Sequence, residues 1–180
     1  MTNTNRCLWL LGLSGAGKTS IASALLGDLQ QQGQKSILLD GDALRTGLNN
    51  NLGFSDEDRA ENVRRTAEVA KLFLAEGYCV IVALITPLAS MRASNRTILG
   101  EAYVEIFIDT TLEICQKRDP KGLYAKVARS EITHFTGIDS PFELPQNADL
   151  MVNTKDRSIE ECVVVIQGLL NRNGQRSRVL

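Results

Sequence analysis

Short, uninterrupted hydrophobic runs recur along the chain, separated by longer segments in which apolar residues return every three or four positions. The short runs are typical of strands buried on both faces of a sheet, and the longer segments are typical of amphipathic helices. Strands are predicted over residues 7–11, 36–39, 79–85, 104–108 and 150–152. Because helical segments separate these strands, the pattern predicts an α/β fold with a five-stranded, mostly parallel sheet covered by helices on both faces.

The helical segments also carry start and stop signals. Ser55 with Asp58, and Ser158 with Glu161, have the spacing of a capping box, in which side chains satisfy the free N–H groups at a helix start. Glycines end the first and second predicted helices. Helices are predicted over residues 21–29, 55–76, 90–99, 111–117, 124–131 and 158–169.

Length and charge limit the classes of protein to consider. The 180 residues predict a single domain over residues 1–180. The 20 basic and 21 acidic residues give a net charge of −1, which argues against nonspecific binding to nucleic acid. No apolar run reaches membrane-spanning length and the opening residues lack a secretory signal, so we expect a cytoplasmic protein that does not bind membranes.

Cysteine and histidine usage narrows the possible chemistry further. The four cysteines form no C-x-x-C pair, and three lie in apolar or helical patterns, which favours buried thiols in a reducing compartment over a zinc site. The one histidine, His134, excludes a metal site built from several histidines. Its neighbours predict that it lies in a loop.

Between the first strand and the first helix, Gly12–Thr19 matches the phosphate-binding loop pattern G-x-x-x-x-G-K-[ST] at every fixed position. Its backbone N–H groups and the helix N-terminus would hold phosphates, Lys18 would reach the β and γ phosphates, and the Thr19 hydroxyl would hold Mg²⁺. The chain is therefore predicted to bind a nucleoside triphosphate. The candidate nucleotide-binding residues are Gly12, Ser14, Gly15, Ala16, Gly17, Lys18, Thr19 and Ser20.

Two carboxylates follow the second strand, at Asp40 and Asp42. At that edge of the sheet a carboxylate can bind Mg²⁺ or accept a proton from an attacking hydroxyl, so the candidate metal ligands are Thr19, Asp40 and Asp42. The other interpretation is an Asp-Gly turn that caps a helix. The pattern alone leaves both open.

Two groups of cations follow downstream. Arg45 and Arg59 flank Phe54, a combination suited to an anionic, aromatic ligand, whereas Arg64 and Arg65 fit a solvated helix face. Residues 118–135 combine helix breakers with several cations, which favours a mobile lid that closes over transferring phosphates.

Taken together, these motifs resemble those of the adenylylsulfate kinase family. The resemblance covers the chain from about Gly12 to Asp139. It is carried by Gly12–Thr19; Leu39–Asp42 with Arg45 and Gly47–Asn49; Leu52–Ser55 with Asp58–Arg59 and Glu61–Arg65; Arg118–Tyr124; and Phe135–Asp139. It implies a three-layer P-loop kinase fold with a lid. The implied reaction transfers the γ-phosphoryl group of ATP, with Mg²⁺, to the 3′-hydroxyl of adenosine 5′-phosphosulfate.

The resemblance also implies roles for individual residues. Asp42 would act at the acceptor hydroxyl as base or metal partner, with Lys18 and Lys121 as further catalytic groups. The implied acceptor-binding residues are Asp42, Arg45, Phe54, Arg59, Asn62, Ile85, Thr86, Lys121, His134 and Phe135. Phe54 and Phe135 would enclose the acceptor adenine. Arg118 and Arg157 would lie near the ATP adenine, and a homodimer is implied.

The chain departs from the usual family pattern in places. Thr86 and Leu88 stand where serine and tyrosine are usual, and His134 stands where glycine is common. Three alternatives stay open at this stage: another small-molecule or nucleoside kinase, a GTPase, and a catalytically silent nucleotide-binding regulator.

Overall fold

The computed structural model describes residues 5–176, with side chains described to residue 170. The strands are β1 Cys7–Leu11, β2 Ser36–Asp40, β3 Cys79–Ala83, β4 Tyr103–Asp109 and β5 Leu150–Asn153. The α-helices are α1 Lys18–Gln31, α2 Gly41–Arg45, α3 Asp56–Ala75, α4 Ala89–Leu99, α5 Leu112–Arg118, α6 Leu123–Ala128 and α7 Ile159–Arg176. A short 3₁₀ turn, Gly100–Ala102, precedes β4.

The five strands form one parallel sheet in the order β2-β3-β1-β4-β5. Alternate residues of β1 enter different layers: Leu8 and Leu10 pack with α1 and α7, while Trp9 and Leu11 pack with α3 and α4. Burial on both faces explains why β1 is an unbroken apolar run. The predicted three-layer α/β fold is confirmed.

Chain connections reverse direction on either side of β1, whose neighbours are β3 and β4. In parallel sheets a crevice opens at the carboxyl ends of the strands where this reversal occurs, and ligands bind there. The loop after β1 and the residues after β2 and β3 all reach this edge. The predicted phosphate loop and the two aspartates are thereby brought together.

Helix boundaries follow the capping signals closely. The Ser55 hydroxyl accepts a hydrogen bond from the Asp58 N–H at 3.1 Å, and the Ser158 N–H donates to the Glu161 carboxylate at 2.7 Å. The Glu161 N–H donates back to the Ser158 hydroxyl at 3.2 Å, so this capping box is confirmed. At Ser55 the hydroxyl caps α3, but the Asp58 carboxylate accepts from that hydroxyl, at 3.1 Å, instead of from the Ser55 N–H.

The predicted helix 124–131 is shorter than expected, because α6 ends at Ala128. Ser130 takes a left-handed φ of 58°, and its N–H donates to the Val127 carbonyl at 2.8 Å. The Glu131 N–H reaches back to Lys126 at 2.9 Å, which completes a helix-ending turn that usually contains glycine.

The four cysteines are buried free thiols. Within residues 5–176, no helix is both long and apolar enough to cross a membrane.

Candidate functional site

A cavity of about 1170 Å³ opens at the carboxyl edge of the sheet. Its walls come from the loop after β1, the residues after β2 and β3, the start of α3, the segment from Arg118 to Thr136, and the loop after β5. Of the predicted site residues, Gly12 alone does not line it. Residues far apart in sequence are thus gathered around one space.

Gly12 does not line the cavity but fixes the backbone at the start of the phosphate loop. Its φ is 147°, and a Cβ at this position would lie 2.6 Å from the Ile108 carbonyl oxygen. Its N–H donates to the carbonyl of Ile85 at 3.3 Å, which links the phosphate loop to the segment after β3. No residue other than glycine fits this close approach.

Lys18 is a buried cation at the first position of α1. Its Nζ donates to the carbonyls of Gly12 at 2.9 Å and Leu13 at 2.7 Å, so the side chain folds back over the loop. Burial is the main cause that lowers the pKa of Lys18 to about 8. A polyphosphate bound in the loop would supply the negative charge that this site lacks.

Asp40 serves two purposes at the end of β2. One carboxylate oxygen accepts from the Thr19 hydroxyl at 2.8 Å, and the other accepts from the Asp42 N–H at 2.9 Å and caps α2. The Asp40 carboxylate thus caps α2 and also lies beside the Thr19 hydroxyl, so the capping interpretation does not conflict with a role as metal ligand.

Thr19 and Asp40 offer adjacent hard oxygen atoms, which suit Mg²⁺. In the part of the chain that the structure describes, no three histidine, cysteine or acidic side chains form a metal cluster. Mg²⁺ normally keeps several waters and is held jointly by one or two protein groups and substrate phosphates.

Asp42 forms an ion pair with Lys121 across the cavity. The pair joins α2 to the predicted lid. Both side chains are well exposed, at 67% for Asp42 and 50% for Lys121, so water and salt screen the attraction. A ligand can therefore separate the two groups at little cost.

Arg45, Phe54 and Arg59 form a cationic aromatic wall. The guanidinium carbons of Arg45 and Arg59 lie 4.4 and 5.5 Å from the centre of the Phe54 ring, which is 56% exposed. Partial burial lowers the pKa of both guanidinium groups, although they stay charged. Neither belongs to an ion pair among the described residues. Desolvated cations of this kind favour an anionic ligand.

In contrast, Arg64 and Arg65 both pair with Glu61 on the outer side of α3, at 2.7 and 2.8 Å. Their hydrogen bonds to this carboxylate lower the pKa of Glu61 to about 2. The interpretation as a solvated helix face is confirmed for Arg64, whereas Arg65 is only 28% exposed and also donates to Asn51 Oδ1 at 2.9 Å.

Asn62 is buried beside this wall, and its Oδ1 accepts from Asn49 Nδ2 at 2.8 Å. The contact orients the amide and leaves the Asn62 Nδ2 group as the donor for a ligand. Asn49 was missed at the sequence level, because it lies in a run of three asparagines that predicts only a turn.

Three further contacts involve the predicted lid. The Tyr124 hydroxyl donates to the Ser14 carbonyl at 2.9 Å, and its ring meets the Phe135 ring edge-on at 5.0 Å between centres. Asp119 caps α6 by accepting from the Tyr124 N–H at 3.1 Å. Tyr124 and Asp119 belong to the quoted lid motif, but sequence reasoning assigned neither of them a role.

His134 lies in an exposed loop, as expected, with a left-handed φ of 56°. That conformation explains why glycine suits this position. The Asp139 carboxylate accepts from the N–H groups of His134, at 2.8 Å, and Phe135, and the His134 carbonyl accepts from Arg59 at 2.7 Å. His134 therefore contributes backbone to the wall, whereas the Phe135 ring is largely buried.

Arg118 bridges the phosphate loop and the segment after β5. It donates to the Thr154 carbonyl at 2.8 Å, to the Thr154 hydroxyl at 3.1 Å and to the Ala16 carbonyl at 3.4 Å. Arg157 is exposed and lines the same end of the cavity. Arg118 and Arg157 therefore both line the nucleotide-loop end of the cavity, as the resemblance implied for Arg118 and the loop from Thr154 to Arg157.

Comparisons with known proteins agree on one family. Residues 4–153 match the family described as adenylylsulphate kinase. An adenylyl-sulfate kinase of Paraburkholderia xenovorans (strain LB400) is 51% identical over 87% of each chain. One from Clostridium kluyveri is 48% identical over 91% of this chain and 82% of its own.

A solved structure shares the architecture as well. The APS kinase CysC of Mycobacterium tuberculosis, determined in complex with AMPPNP and APS, superposes with a TM-score of 0.90 at 48% identity. The match covers 92% of this chain and 97% of the other.

Proposed function

The chain belongs to the adenylylsulphate kinase family, and we propose that it transfers the γ-phosphoryl group of ATP to the 3′-hydroxyl of adenosine 5′-phosphosulfate. The observation that carries the assignment of roles is the shared cavity. One end is the phosphate loop with Lys18, and the other is the wall of Arg45, Phe54 and Arg59. Donor and acceptor can therefore lie in one space.

The acceptor end matches the chemistry of the proposed substrate. Arg45 and Arg59 would bind the phosphosulfate group, which carries spread negative charge, and Asn62 would donate a hydrogen bond. The exposed ring of Phe54 is available to a planar base, and Phe135 lines the same cavity. A neutral sugar would leave both partly buried guanidinium groups without an anion.

The transfer forms a bond between the acceptor 3′-oxygen and the γ phosphorus, and it breaks the bond between that phosphorus and the β–γ bridging oxygen. In our assignment the Asp42 carboxylate takes the proton of the 3′-hydroxyl. Lys18 holds the β and γ phosphates, and Lys121, released from Asp42, brings positive charge over the transferring group. Arg118 and Arg157 border the space for the ATP base.

Thr19 and Asp40 would hold Mg²⁺, with Asp42 close by. When bound, Mg²⁺ neutralises charge on the β and γ phosphates. The hydroxyl of Thr19 and the free lone pairs of Asp40 are the groups that this chain contributes.

We infer that residues 118–135 form the lid of a single domain covering 1–180, that the chain forms a homodimer, and that it acts in the cytoplasm. The buried free thiols support that location.

An acceptor panel tests the function. Purified protein with MgATP is given adenosine 5′-phosphosulfate, AMP, adenosine, gluconate or glucose, and initial rates of ADP release are measured. We expect rapid release with adenosine 5′-phosphosulfate and rates near background with the others. A preference for adenosine or a sugar would contradict the proposal, and a background rate with every acceptor would indicate a silent regulator.

Nucleotide binding is expected to take up a proton near pH 8.5. Lys18 has a pKa of about 8 in the structure, so roughly three quarters of it is neutral at that pH, and bound phosphates favour its charged form. ATP affinity should therefore fall as the pH rises above about 8. Titration calorimetry in buffers of different ionisation enthalpy measures this uptake.

The matched control for this titration is Lys18→Arg, which keeps a cation that does not titrate in this range. It should bind nucleotide without proton uptake. Equal proton uptake by the wild type and this variant would assign the uptake to another group.

A further inference from the structure

The loop after β3 contains a strained residue beside the acceptor end of the cavity. Thr86 has a φ of 48°, although β-branched residues rarely adopt the left-handed region. Thr86 and Pro87 both line the cavity. Strain of this kind persists only where the surrounding structure enforces it, and it concentrates at functional sites.

Side chains from distant elements enforce the bend. The Arg92 Nη1 group on α4 donates to the carbonyls of Thr86 at 3.3 Å and Pro87 at 3.2 Å. Trp9 on β1 donates from Nε1 to the Thr86 hydroxyl at 2.8 Å. The N–H of Glu143 reaches the Pro87 carbonyl at 2.9 Å. The loop is thus held at the carbonyls of Thr86 and Pro87 and at the threonine hydroxyl.

Arg92 is itself fixed in place. Its Nε lies 3.7 Å from the carboxylate of Glu105 on β4, and the two side chains are only 7% and 6% exposed. The Tyr103 hydroxyl donates to the same carboxylate at 3.2 Å. The carboxylate therefore holds the Arg92 guanidinium beside the Thr86–Pro87 backbone, where little water reaches it.

We propose that Arg92 is a positioning residue for the acceptor: fixed by Glu105, it holds the Thr86–Pro87 backbone in the bend that shapes the acceptor end of the cavity. The role rests on the proposed function only in naming the acceptor. Arg92 does not line the cavity and acts through Thr86 and Pro87. Its loss should therefore weaken acceptor use much more than ATP use.

The chain offers a close control in Arg96, one turn along α4. Arg96 also pairs with Glu105, at 3.5 Å, but it is 48% exposed, and its described contacts do not include the carbonyls of Thr86 or Pro87. Arg96→Met therefore disturbs the same carboxylate without releasing the bend.

Two variants test the role. In Arg92→Lys, one ammonium cannot span Glu105 and two carbonyls as the guanidinium fork does. In Arg92→Met/Glu105→Leu, both buried charges are removed together, which protects the fold if the single variant unfolds. We expect each to raise the KM for adenosine 5′-phosphosulfate about 10- to 100-fold, with the KM for MgATP within about twofold. Arg96→Met should match the wild type.

A second readout does not depend on activity. Trp9 is the one tryptophan in the sequence, and its indole N–H contacts the Thr86 hydroxyl. We expect Arg92→Lys to change the Trp9 emission maximum more than Arg96→Met does, because Arg96 reaches Trp9 only through the Tyr103 ring. If the wild type failed to phosphorylate adenosine 5′-phosphosulfate, the function would be wrong while this optical test would still report on the bend.

An unchanged acceptor KM in both Arg92 variants would overturn the positioning role. So would equal rises in the KM of acceptor and MgATP, because a merely structural defect would affect both ends of the cavity. An unchanged Trp9 emission would separate Arg92 from the bend and overturn the role as well.

Discussion

Replacing Asp42 by asparagine is expected to lower kcat by about 10²- to 10⁴-fold, the usual contribution of a positioned proton acceptor. Asparagine keeps the size of the side chain but cannot accept the proton of the attacking hydroxyl. The KM for MgATP should change little, because Asp42 pairs with Lys121 and its N–H rests on Asp40 rather than on the phosphate loop. Steady-state kinetics with each substrate varied in turn measures both values.

Asp109→Asn is the matched control for this variant. Asp109 also ends a strand at the same edge of the sheet, but it accepts from Asn153 at 3.2 Å and does not line the cavity. Its variant should turn over like the wild type. An Asp42→Asn enzyme with wild-type kcat, or with a loss confined to the KM of ATP, would remove the role assigned to Asp42.

Replacing Lys18 by methionine is expected to reduce kcat/KM for MgATP by about 10²- to 10³-fold, as for loss of one preorganised group that stabilises transition-state charge. Methionine has an unbranched apolar stem that can occupy the same buried path. The lost interaction is therefore the charge at the β and γ phosphates. Initial rates over a range of MgATP concentrations measure the effect.

The same substitution should change the thermal unfolding midpoint of the nucleotide-free protein little. Burial lowers the pKa of Lys18 and so disfavours its charged form in the folded state, but the ammonium also donates to the carbonyls of Gly12 and Leu13, so the two effects of removing it oppose each other. Lys126→Met changes an exposed lid lysine instead and should keep normal kinetics. A Lys18→Met protein with unimpaired kcat/KM would contradict the assigned donor end.

Local signals in the sequence were sufficient for the fold. The apolar run of β1 reports burial on both faces, and the serine caps of α3 and α7 lie within a few residues of the groups that they satisfy. The phosphate loop was equally readable, because its glycines and Lys18 act within one continuous segment. These features depend on neighbours in the chain, which a sequence displays directly.

The residues of the cationic aromatic wall could be predicted from the sequence, but the contacts between them and their neighbours could not. Motifs identified Arg59 and His134 separately. The hydrogen bond from the Arg59 guanidinium to the His134 carbonyl, at 2.7 Å, joins residues 75 positions apart, so no local pattern predicts it. The bend at Thr86 had no local signal either, since it depends on Trp9 and on Arg92, which the sequence presents as part of a polar helix. Such contacts depend on how distant parts of the chain pack together, and this packing cannot be deduced from the order of residues in one sequence.

The position of the transferred phosphate tests the central claim most directly. The protein is incubated with Mg²⁺, ATP that carries a γ-³²P tracer, and adenosine 5′-phosphosulfate. The separated products are counted for radioactivity, and ³¹P NMR of the bulk material locates the new phosphate. We expect ADP and a labelled product in equal amounts, with the new phosphate on the ribose 3′-oxygen and the phosphosulfate intact. Absence of label from that position, or its appearance on another acceptor or in free phosphate alone, would contradict the account.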